Sequence, residues 1–231
     1  MEKSIFITGA NRGIGLEFTR QFLMTGAIIY ASCRTPERAT ALQGLQQQYP
    51  NSLHIIALDM LDREAIHNVS TLVPQPIDIL ILNAGISGQS GVKIGNLDIE
   101  NLQHVFATNS FAPLCLADAL LERVAKSKEK LIIAISSRMG SIGDNNSGGR
   151  YAYRGSKAAL NALMFSLSID IQADGIKVLI LHPGSVQTDM GGVQALITAE
   201  TSVNGMRKII DNAATYASGS FLSYTGELIP W

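Results

Sequence analysis

The sequence predicts an α/β protein, with one doubly wound parallel sheet covered by helices on both faces. Short runs of consecutive apolar residues alternate with longer segments of helical periodicity along the chain of 231 residues. Consecutive apolar positions are typical of strands buried on both faces, as in a parallel sheet between helices. No internal repeat, low-complexity tract or linker divides the chain, so we expect residues 1–231 to form a single domain.

Six strands and five helices are predicted from these patterns. The predicted strands are 4–8, 27–32, 53–58, 77–82, 131–136 and 177–181. The predicted helices are 14–25, 36–48, 63–72, 102–125 and 151–173. The least regular segments are 87–95, 143–149 and 190–201, and we expect the last to be a short substrate loop.

Three predicted helix boundaries have residues that suit them. Pro36 stands where the first turn of a helix tolerates a missing amide hydrogen, and Asp62 is a candidate cap for the helix from residue 63. Gly175 stands where a residue in the left-handed conformation would end the helix 151–173.

Composition limits the class of protein. The 18 basic and 19 acidic side chains give a formal net charge of −1, which provides no excess of cations for binding nucleic acid. No apolar run of about 18 residues could span a bilayer and no signal-peptide core is seen, so we expect a cytoplasmic protein without a membrane partner. The four histidines and two cysteines lack metal-ligand spacing, so no metal is expected.

A glycine-rich turn follows the first predicted strand. It reads T-G-A-N-R-G-I-G over residues 8–15 and leads directly into a helix. Glycines let the backbone approach a pyrophosphate, and a helix N-terminus offers amide hydrogens with about half a positive charge. A purely structural turn is the alternative, which the βαβ context disfavours.

The residues after this turn favour NADP over NAD. An NAD site usually has an acidic residue about 20 positions further on, which binds the ribose hydroxyls. No acidic residue lies between Glu17 and Glu37, and Arg34 stands at the end of the second strand instead. Arg34 and Arg12 could bind the additional phosphate through charge-assisted hydrogen bonds. A solvated side chain at a helix entry is the alternative for Arg34.

Tyr153 and Lys157 are the candidate acid–base pair. They are four residues apart at the start of a predicted helix, so they share one face. A nearby ammonium would lower the pKa of a phenol and favour proton transfer in both directions near neutral pH. Tyr151 is the rival phenol, but it lies on another face. Ser137, after the fifth strand, could bind a substrate oxygen and stabilise negative charge.

With these motifs, the sequence resembles the short-chain dehydrogenase/reductase family over essentially its whole length. Further matches are Asp59 after the third strand, Asn83-Ala84-Gly85 after the fourth, Asn109 in the next long helix, and Pro183-Gly184 with Thr188 after the sixth. The resemblance implies a Rossmann domain and an oxidoreductase that transfers a hydride between a nicotinamide and a carbonyl or alcohol substrate.

The resemblance also implies a role for each matching residue. Tyr153 would be the general acid/base, Ser137 would orient the carbonyl, and Lys157 would bind the nicotinamide ribose and tune the tyrosine. Asn109 would hold a water molecule in a proton relay, and Asp59 would contact the adenine. The residues implied to bind the cofactor are Gly9, Asn11, Arg12, Gly13, Ile14, Gly15, Arg34, Asp59, Met60, Asn83, Ala84, Gly85, Tyr153, Lys157, Pro183, Gly184, Val186 and Thr188.

One feature departs from the family pattern. Ser137 and Tyr153 are 16 positions apart, slightly more than is usual, and residues 143–149 are the expected insertion. A Ser-x-x-Gly turn selects Ser137, but Ser136 and Ser141 remain alternatives.

Within the family, the sequence is similar to the C-factor-like carbonyl reductases. The similar segments are residues 10–12, 141–146 and 230–231. We therefore expect an NADP-dependent reductase of small ketones or aldehydes. The alternative is a signalling or redox-sensing protein that binds the dinucleotide with little turnover. The apolar faces of helices 102–125 and 151–173 also predict a homo-oligomer, either a dimer or a tetramer.

Overall fold

The computed structural model describes residues 2–231, and within them seven strands form one parallel sheet. The strands are β1 (Ser4–Thr8), β2 (Ile28–Cys33), β3 (Leu53–Ala57), β4 (Ile79–Leu82), β5 (Leu131–Ile135), β6 (Lys177–His182) and β7 (Phe221–Ser223). Their order across the sheet is β3-β2-β1-β4-β5-β6-β7. This arrangement confirms the predicted doubly wound fold.

Helices cover both faces of this sheet. They are α1 (Gly13–Met24), α2 (Thr40–Gln48), α3 (Arg63–Asn68), α4 (Ile99–Phe106), α5 (Ala112–Ala125), α6 (Tyr151–Asp170) and α7 (Ala199–Asp211). In β1, Ile5 packs into the core with Phe18 of α1, whereas Phe6 packs into the opposite core with Leu116 of α5. Successive residues of a strand point to opposite faces of the sheet. Because helices cover both faces, successive residues must both be apolar, which explains the consecutive apolar runs.

The structure corrects several predicted boundaries. The predicted helix 102–125 is interrupted, because a π-helical segment at Ala107–Phe111 separates α4 from α5. Strand β7 and helix α7 were absent from the prediction, and the predicted loop 190–201 overlaps α7, which begins at Ala199. The predicted end of helix 151–173 is a separate 3-10 turn at Gln172–Asp174.

Two other predicted helices also divide into shorter pieces. Pro36–Arg38 is a 3-10 turn before α2, and Val69–Leu72 is one after α3. The predicted caps are confirmed: the side chain of Asp62 accepts a hydrogen bond from the Ala65 amide at 2.9 Å, and Gly175 has a φ of 72°. Pro36 occupies the first turn of its 3-10 segment.

Strands β1 and β4 are neighbours at the point where the chain order across the sheet reverses. The chain builds outward from β1 to β3 and then returns to place β4 on the other side of β1. In open α/β sheets the crevice beyond the carboxyl ends of such strands is the usual ligand site. Here that crevice lies beyond Thr8 and Leu82.

Candidate active site

The glycine turn after β1 is shaped for close backbone contact. Gly13 has a φ of 54°, which is a left-handed conformation that favours glycine. A side chain at Gly15 would overlap the carbonyl oxygen of Gly9 and the side chain of Asn83. Asn11 and Ile14 are partly exposed along the same turn. The glycines thus leave the backbone of the turn open to close approach.

Thr8 and Asn83 tie this turn to the end of β4. The Thr8 hydroxyl accepts hydrogen bonds from the amides of Asn83 and Ala84, each at 2.9 Å. The Asn83 side chain donates to the Thr8 carbonyl at 2.9 Å and to the Gly9 carbonyl at 3.2 Å. Asn83 therefore fixes the shape of the turn, while Ala84 and Gly85 continue along the crevice.

The N-terminus of α1 fits a diphosphate group. Within the described residues, no side chain caps this terminus and its first turn holds no acidic residue. Its amides and partial positive charge therefore face the crevice without a competing anion from the helix itself.

The two predicted phosphate-binding arginines have different surroundings. Arg34 is exposed directly after β2 and forms no ion pair with any residue in 2–231. Arg12 donates to the carboxylate of Asp189 at 2.7 Å, in an exposed ion pair between the glycine turn and the segment after β6. Sequence reasoning missed Asp189, although it directly follows the predicted residue Thr188.

Tyr153, Lys157 and Ser137 lie together at the start of α6 and the end of β5. The Lys157 ammonium is 5.9 Å from the centre of the Tyr153 ring, so the two share one helix face as predicted. Ser137 follows β5 and its side chain lies beside the Tyr153 phenol. Tyr151, the rival phenol, is exposed.

The pKa of Tyr153 corrects the expectation that an adjacent lysine lowers it. Burial raises the pKa of the phenol above its ordinary value, and the Ser137 side chain and the Arg150 charge oppose this effect only in part. The Arg150 guanidinium lies 5.6 Å from the ring centre. The phenol is therefore protonated near neutral pH, which suits a proton donor. Sequence reasoning did not place Arg150 beside this phenol, and its φ of 48° is unusual for arginine.

Lys157 is held in a buried position under the crevice. Its Nζ donates to the carbonyl oxygen of Ile135 at 2.8 Å, and a Cβ added to Gly85 would lie 3.6 Å from it. Burial lowers the pKa of this ammonium from 10.5 to about 8. The charged form therefore still predominates at pH 7.

The three candidate serines have different partners. Ser136 donates its hydroxyl to the side chain of Asn161 in α6, and Ser141 bonds the backbone oxygen of Trp231 at 3.4 Å. The Ser137 oxygen accepts a hydrogen bond from the Met139 amide at 3.1 Å. Its own hydroxyl hydrogen is not used in that bond and can be donated toward Tyr153. The geometry favours Ser137 as the hydroxyl that meets a substrate.

Asn109 lies in the π-helical segment and supports the wall of the crevice. Its Oδ1 accepts from the Ile86 amide and its Nδ2 donates to the Ile86 carbonyl, both at 2.8 Å. The second amide hydrogen goes to the Ser156 hydroxyl at 3.0 Å. Such bulges often occur at functional sites because they redirect a side chain. Sequence reasoning missed Ile86, which follows the predicted wall residue Gly85.

Four of the remaining predicted cofactor residues follow β3 or β6 in the chain. Asp59 accepts a hydrogen bond from the Leu61 amide at 3.0 Å, and Met60 is in the core. Ser202 of α7 donates to the Pro183 carbonyl at 2.6 Å, and buried Val186 pairs with Ile197.

Gly184 and Thr188 complete that segment, and both make close contacts. Gly184 has a φ of 88°, and a Cβ there would lie 2.8 Å from the Ile197 side chain. The Thr188 methyl would lie 3.1 Å from a Cβ on Gly13, so this segment closes over the glycine turn.

A cavity opens between the glycine turn and the irregular loops. Its volume is about 750 Å³, and its walls include Arg12, Ile86, Ser87, Asp189 and Met190. The segments after β4 and after β6 thus meet above the crevice.

Within residues 2–231, no group of three His, Cys, Asp or Glu side chains is placed to hold a metal ion, and no helix combines the length and apolar character of a transmembrane span.

Comparison with a family model assigns the chain to a known family. Residues 3–196 match the model described as short chain dehydrogenase. The chain belongs to the short-chain dehydrogenase family. Membership of this family, together with the structures described next, supports an oxidoreductase with a nicotinamide dinucleotide cofactor.

Relatives in sequence and structure cover most of the chain. C-signal of Myxococcus xanthus is 42% identical over 156 residues, which are 68% of this chain and 93% of that protein. The NADPH-bound carbonyl reductase from chicken fatty liver is 36% identical with a TM-score of 0.91, covering 100% of this chain and 99% of that chain. A short-chain dehydrogenase/reductase from Burkholderia multivorans with bound NADP is 31% identical with a TM-score of 0.92, and both chains are fully covered at 100%.

Proposed function

We propose that this short-chain dehydrogenase is an NADP-dependent reductase of ketones or aldehydes. The observation that carries the proposal is the grouping of the Tyr153 phenol, the Ser137 side chain and the buried Lys157 ammonium beside the crevice. A proton donor with a hydrogen-bond donor and a fixed positive charge is what carbonyl reduction requires from the protein. The NADP and NADPH held by two similar structures support the choice of cofactor.

The dinucleotide would lie along the carboxyl ends of β1 and β4. The backbone of residues 9–15 and the N-terminus of α1 would bind its diphosphate, and Arg12 and Arg34 would bind the additional phosphate. Asp59 and Met60 would adjoin the adenine, Asn83, Ala84 and Gly85 would form one wall, and Pro183, Gly184, Val186 and Thr188 would adjoin the carboxamide. The bound cofactor supplies the hydride that reduces the carbonyl carbon.

The chain's own residues would move the proton. Ser137 donates a hydrogen bond to the carbonyl oxygen, which stabilises the negative charge that develops there. Tyr153 donates its phenolic proton to the same oxygen, and the product is an alcohol. The positive charge of Lys157 stabilises the phenolate that remains until a proton returns from water.

Asn109 would support this site in two ways. Both of its amide hydrogens are used by Ile86 and Ser156, so the side chain positions the crevice wall beside Lys157. We propose that the second lone pair of its Oδ1 holds the water through which Tyr153 regains its proton.

An activity screen tests this function. The purified protein is mixed with NADPH or NADH and a panel of small ketones and aldehydes, and the loss of absorbance at the nicotinamide band is followed together with alcohol formation. We expect NADPH-dependent reduction of at least one carbonyl class in equal amounts of NADPH and alcohol. Binding of NADPH without turnover of any carbonyl would reject the proposal.

The second candidate is a signalling or redox-sensing protein, because the relative in Myxococcus xanthus is named C-signal. That candidate requires tight dinucleotide binding but not the Tyr153 hydroxyl. Tyr153→Phe would then leave the signalling activity unchanged, whereas it abolishes a function that depends on catalysis.

We also propose that the chain forms a homo-oligomer through the outer faces of α5 and α6. Phe165 and Ile169 of α6 are exposed by 43% and 58% and are four residues apart, so they lie on one face of the helix. Gel filtration that shows only a 24.8 kDa species at micromolar concentration would reject this proposal.

A further inference from the structure

The last residues of the chain fold back from β7 toward the loop that carries Ser137. The amide of Ile229 donates to the carbonyl oxygen of Phe221 at 2.9 Å, and Leu228 forms an antiparallel bridge with Leu222. Ile229 is buried in the core beside these strands. The tail is thus a fixed extension of the sheet edge up to Pro230.

The ring of Trp231 anchors the end of this tail between two elements. It stacks on Phe221 of β7 at a centroid distance of 5.6 Å and meets Phe165 of α6 edge-on at the same distance. Aromatic pairs with these geometries stabilise beyond the area that they bury. Two such contacts fix the position of the Trp231 backbone.

The anchored backbone oxygen of Trp231 holds the loop after β5. It accepts a hydrogen bond from the Gly143 amide at 2.7 Å and one from the Ser141 hydroxyl at 3.4 Å. A Cβ on Gly143 would lie 3.1 Å from that oxygen and 3.5 Å from the Pro230 side chain, so the two backbones approach closely here.

The same loop also packs against α6, the helix that carries Tyr153 and Lys157. Gly140 packs on the backbone of Lys157 so closely that a Cβ there would lie 2.8 Å from the Lys157 carbonyl carbon. Ser137 is the first residue of this loop. After it, Gly140 contacts α6, whereas Ser141 and Gly143 contact Trp231.

We infer that Trp231 is a positioning residue for the carbonyl site, acting on the Ser137 loop through Ser141 and Gly143. This inference rests on the proposed reductase function. Without the anchor, residues 141–144 lose their contact on the side away from α6, and this wall of the substrate site shifts relative to Tyr153. Misplacement of a reacting group by about 1 Å can cost up to a hundredfold in rate. Ser141, Gly143 and Trp231 are not among the residues proposed to bind the dinucleotide, so we expect its affinity to be unaffected.

Steady-state kinetics of four variants test this inference. We expect Trp231→Ala to lower kcat/KM for the carbonyl by roughly tenfold or more, while the Kd of NADPH from calorimetry stays within about twofold. Trp231→Phe keeps a stacking ring and should restore kcat/KM to within about threefold of the original. Leu228→Ala changes an exposed side chain of the same tail and should have no effect. Gly143→Pro removes the amide that donates to the Trp231 oxygen, so it should lower kcat/KM even if Trp231→Ala fails to fold.

Amide hydrogen exchange separates this inference from the proposed function. Exchange at the Gly143 amide should be at least about tenfold faster in Trp231→Ala, with exchange in β5 unchanged, whether or not the protein reduces carbonyls. Absence of turnover in the unmodified protein would reject only the reductase function. Unchanged Gly143 exchange, unchanged kcat/KM in Trp231→Ala, or an equal loss of NADPH affinity would overturn the positioning role.

Discussion

The Nζ of Lys157 lies 2.8 Å from the carbonyl oxygen of Ile135, so an ammonium is held under the crevice by a neutral backbone acceptor rather than by a carboxylate. A buried cation without an opposite charge costs stability, and its pKa falls to about 8 for that reason. In the proposed mechanism the same charge stabilises a phenolate at Tyr153. Stability and catalysis therefore make opposite demands on Lys157.

Lys157→Met should stabilise the protein at pH 7 and abolish reduction. The pKa of Lys157 is about 8 in the folded state and 10.5 as its ordinary value. The unfolded chain thus binds more protons between these pH values, and stability rises with pH through that window. Removing the charge should raise the free energy of unfolding at pH 7 by about 2 kcal/mol, after allowance for the unpaired Ile135 carbonyl.

Denaturant unfolding at pH 7 and pH 9.5 measures this difference, which should shrink at the higher pH. Lys208→Met, at an exposed position of α7, is the control and should change stability by less than about 0.5 kcal/mol. A Lys157→Met protein that is less stable than the original at pH 7 would contradict the account.

The rate of carbonyl reduction should be constant from pH 6 to about 7 and should fall above about pH 8. Lys157 loses its charge through this range, because its pKa is about 8, whereas Tyr153 stays protonated because burial raises its pKa. The measurement is kcat at saturating NADPH across pH 6–10. A rate that rises from pH 8 to 9.5 would show that the ammonium is not required.

Arg34→Asp should weaken NADPH selectively. The substitution places a negative charge beside the proposed site of the additional phosphate, so the Kd of NADPH should increase by roughly ten- to a hundredfold while that of NADH changes by less than about threefold. Arg38→Asp, four residues further along and also exposed, is the matched control for net charge. Equal weakening of both dinucleotides by Arg34→Asp would remove Arg34 from the phosphate site.

Asp189→Asn should strengthen NADPH binding, because it frees the Arg12 guanidinium from its 2.7 Å ion pair. Exposed ion pairs stabilise by about 1 kcal/mol or less. The affinity for NADPH should therefore increase by roughly two- to fivefold at low salt and by less at high salt. Calorimetry with NADPH and NADH measures it, and NADH should show no gain. Weaker NADPH binding in Asp189→Asn would mean that Asp189 holds Arg12 in its binding position.

Elements with strong local patterns could be predicted from the sequence. The buried strands follow from consecutive apolar residues such as Ile5 and Phe6, and the glycine turn follows from its spacing. Helix α7 also had a signal, because Val203, Met206 and Ile210 are buried at helical spacing. Strand β7 has three residues, which is too short for a pattern to appear.

Features that depend on tertiary packing could not be predicted. The Arg12–Asp189 pair joins residues 177 positions apart, and the contact of Ser141 with Trp231 spans 90 positions. The raised pKa of Tyr153 depends on how deeply the phenol is buried, and that burial outweighs the opposing effects of Ser137 and Arg150. The spacing of Tyr153 and Lys157 predicted that they share a helix face, but it did not predict that the pKa of Tyr153 is raised.

The most direct test of the account compares Tyr153→Phe with Tyr151→Phe in NADPH-dependent carbonyl reduction. Tyr153→Phe removes only the proposed proton donor and should lower kcat by about two to four orders of magnitude with an unchanged Kd for NADPH. Tyr151→Phe removes the exposed rival phenol and should retain kcat within about twofold. Near-normal kcat in Tyr153→Phe would contradict the central claim that this phenol protonates the substrate oxygen.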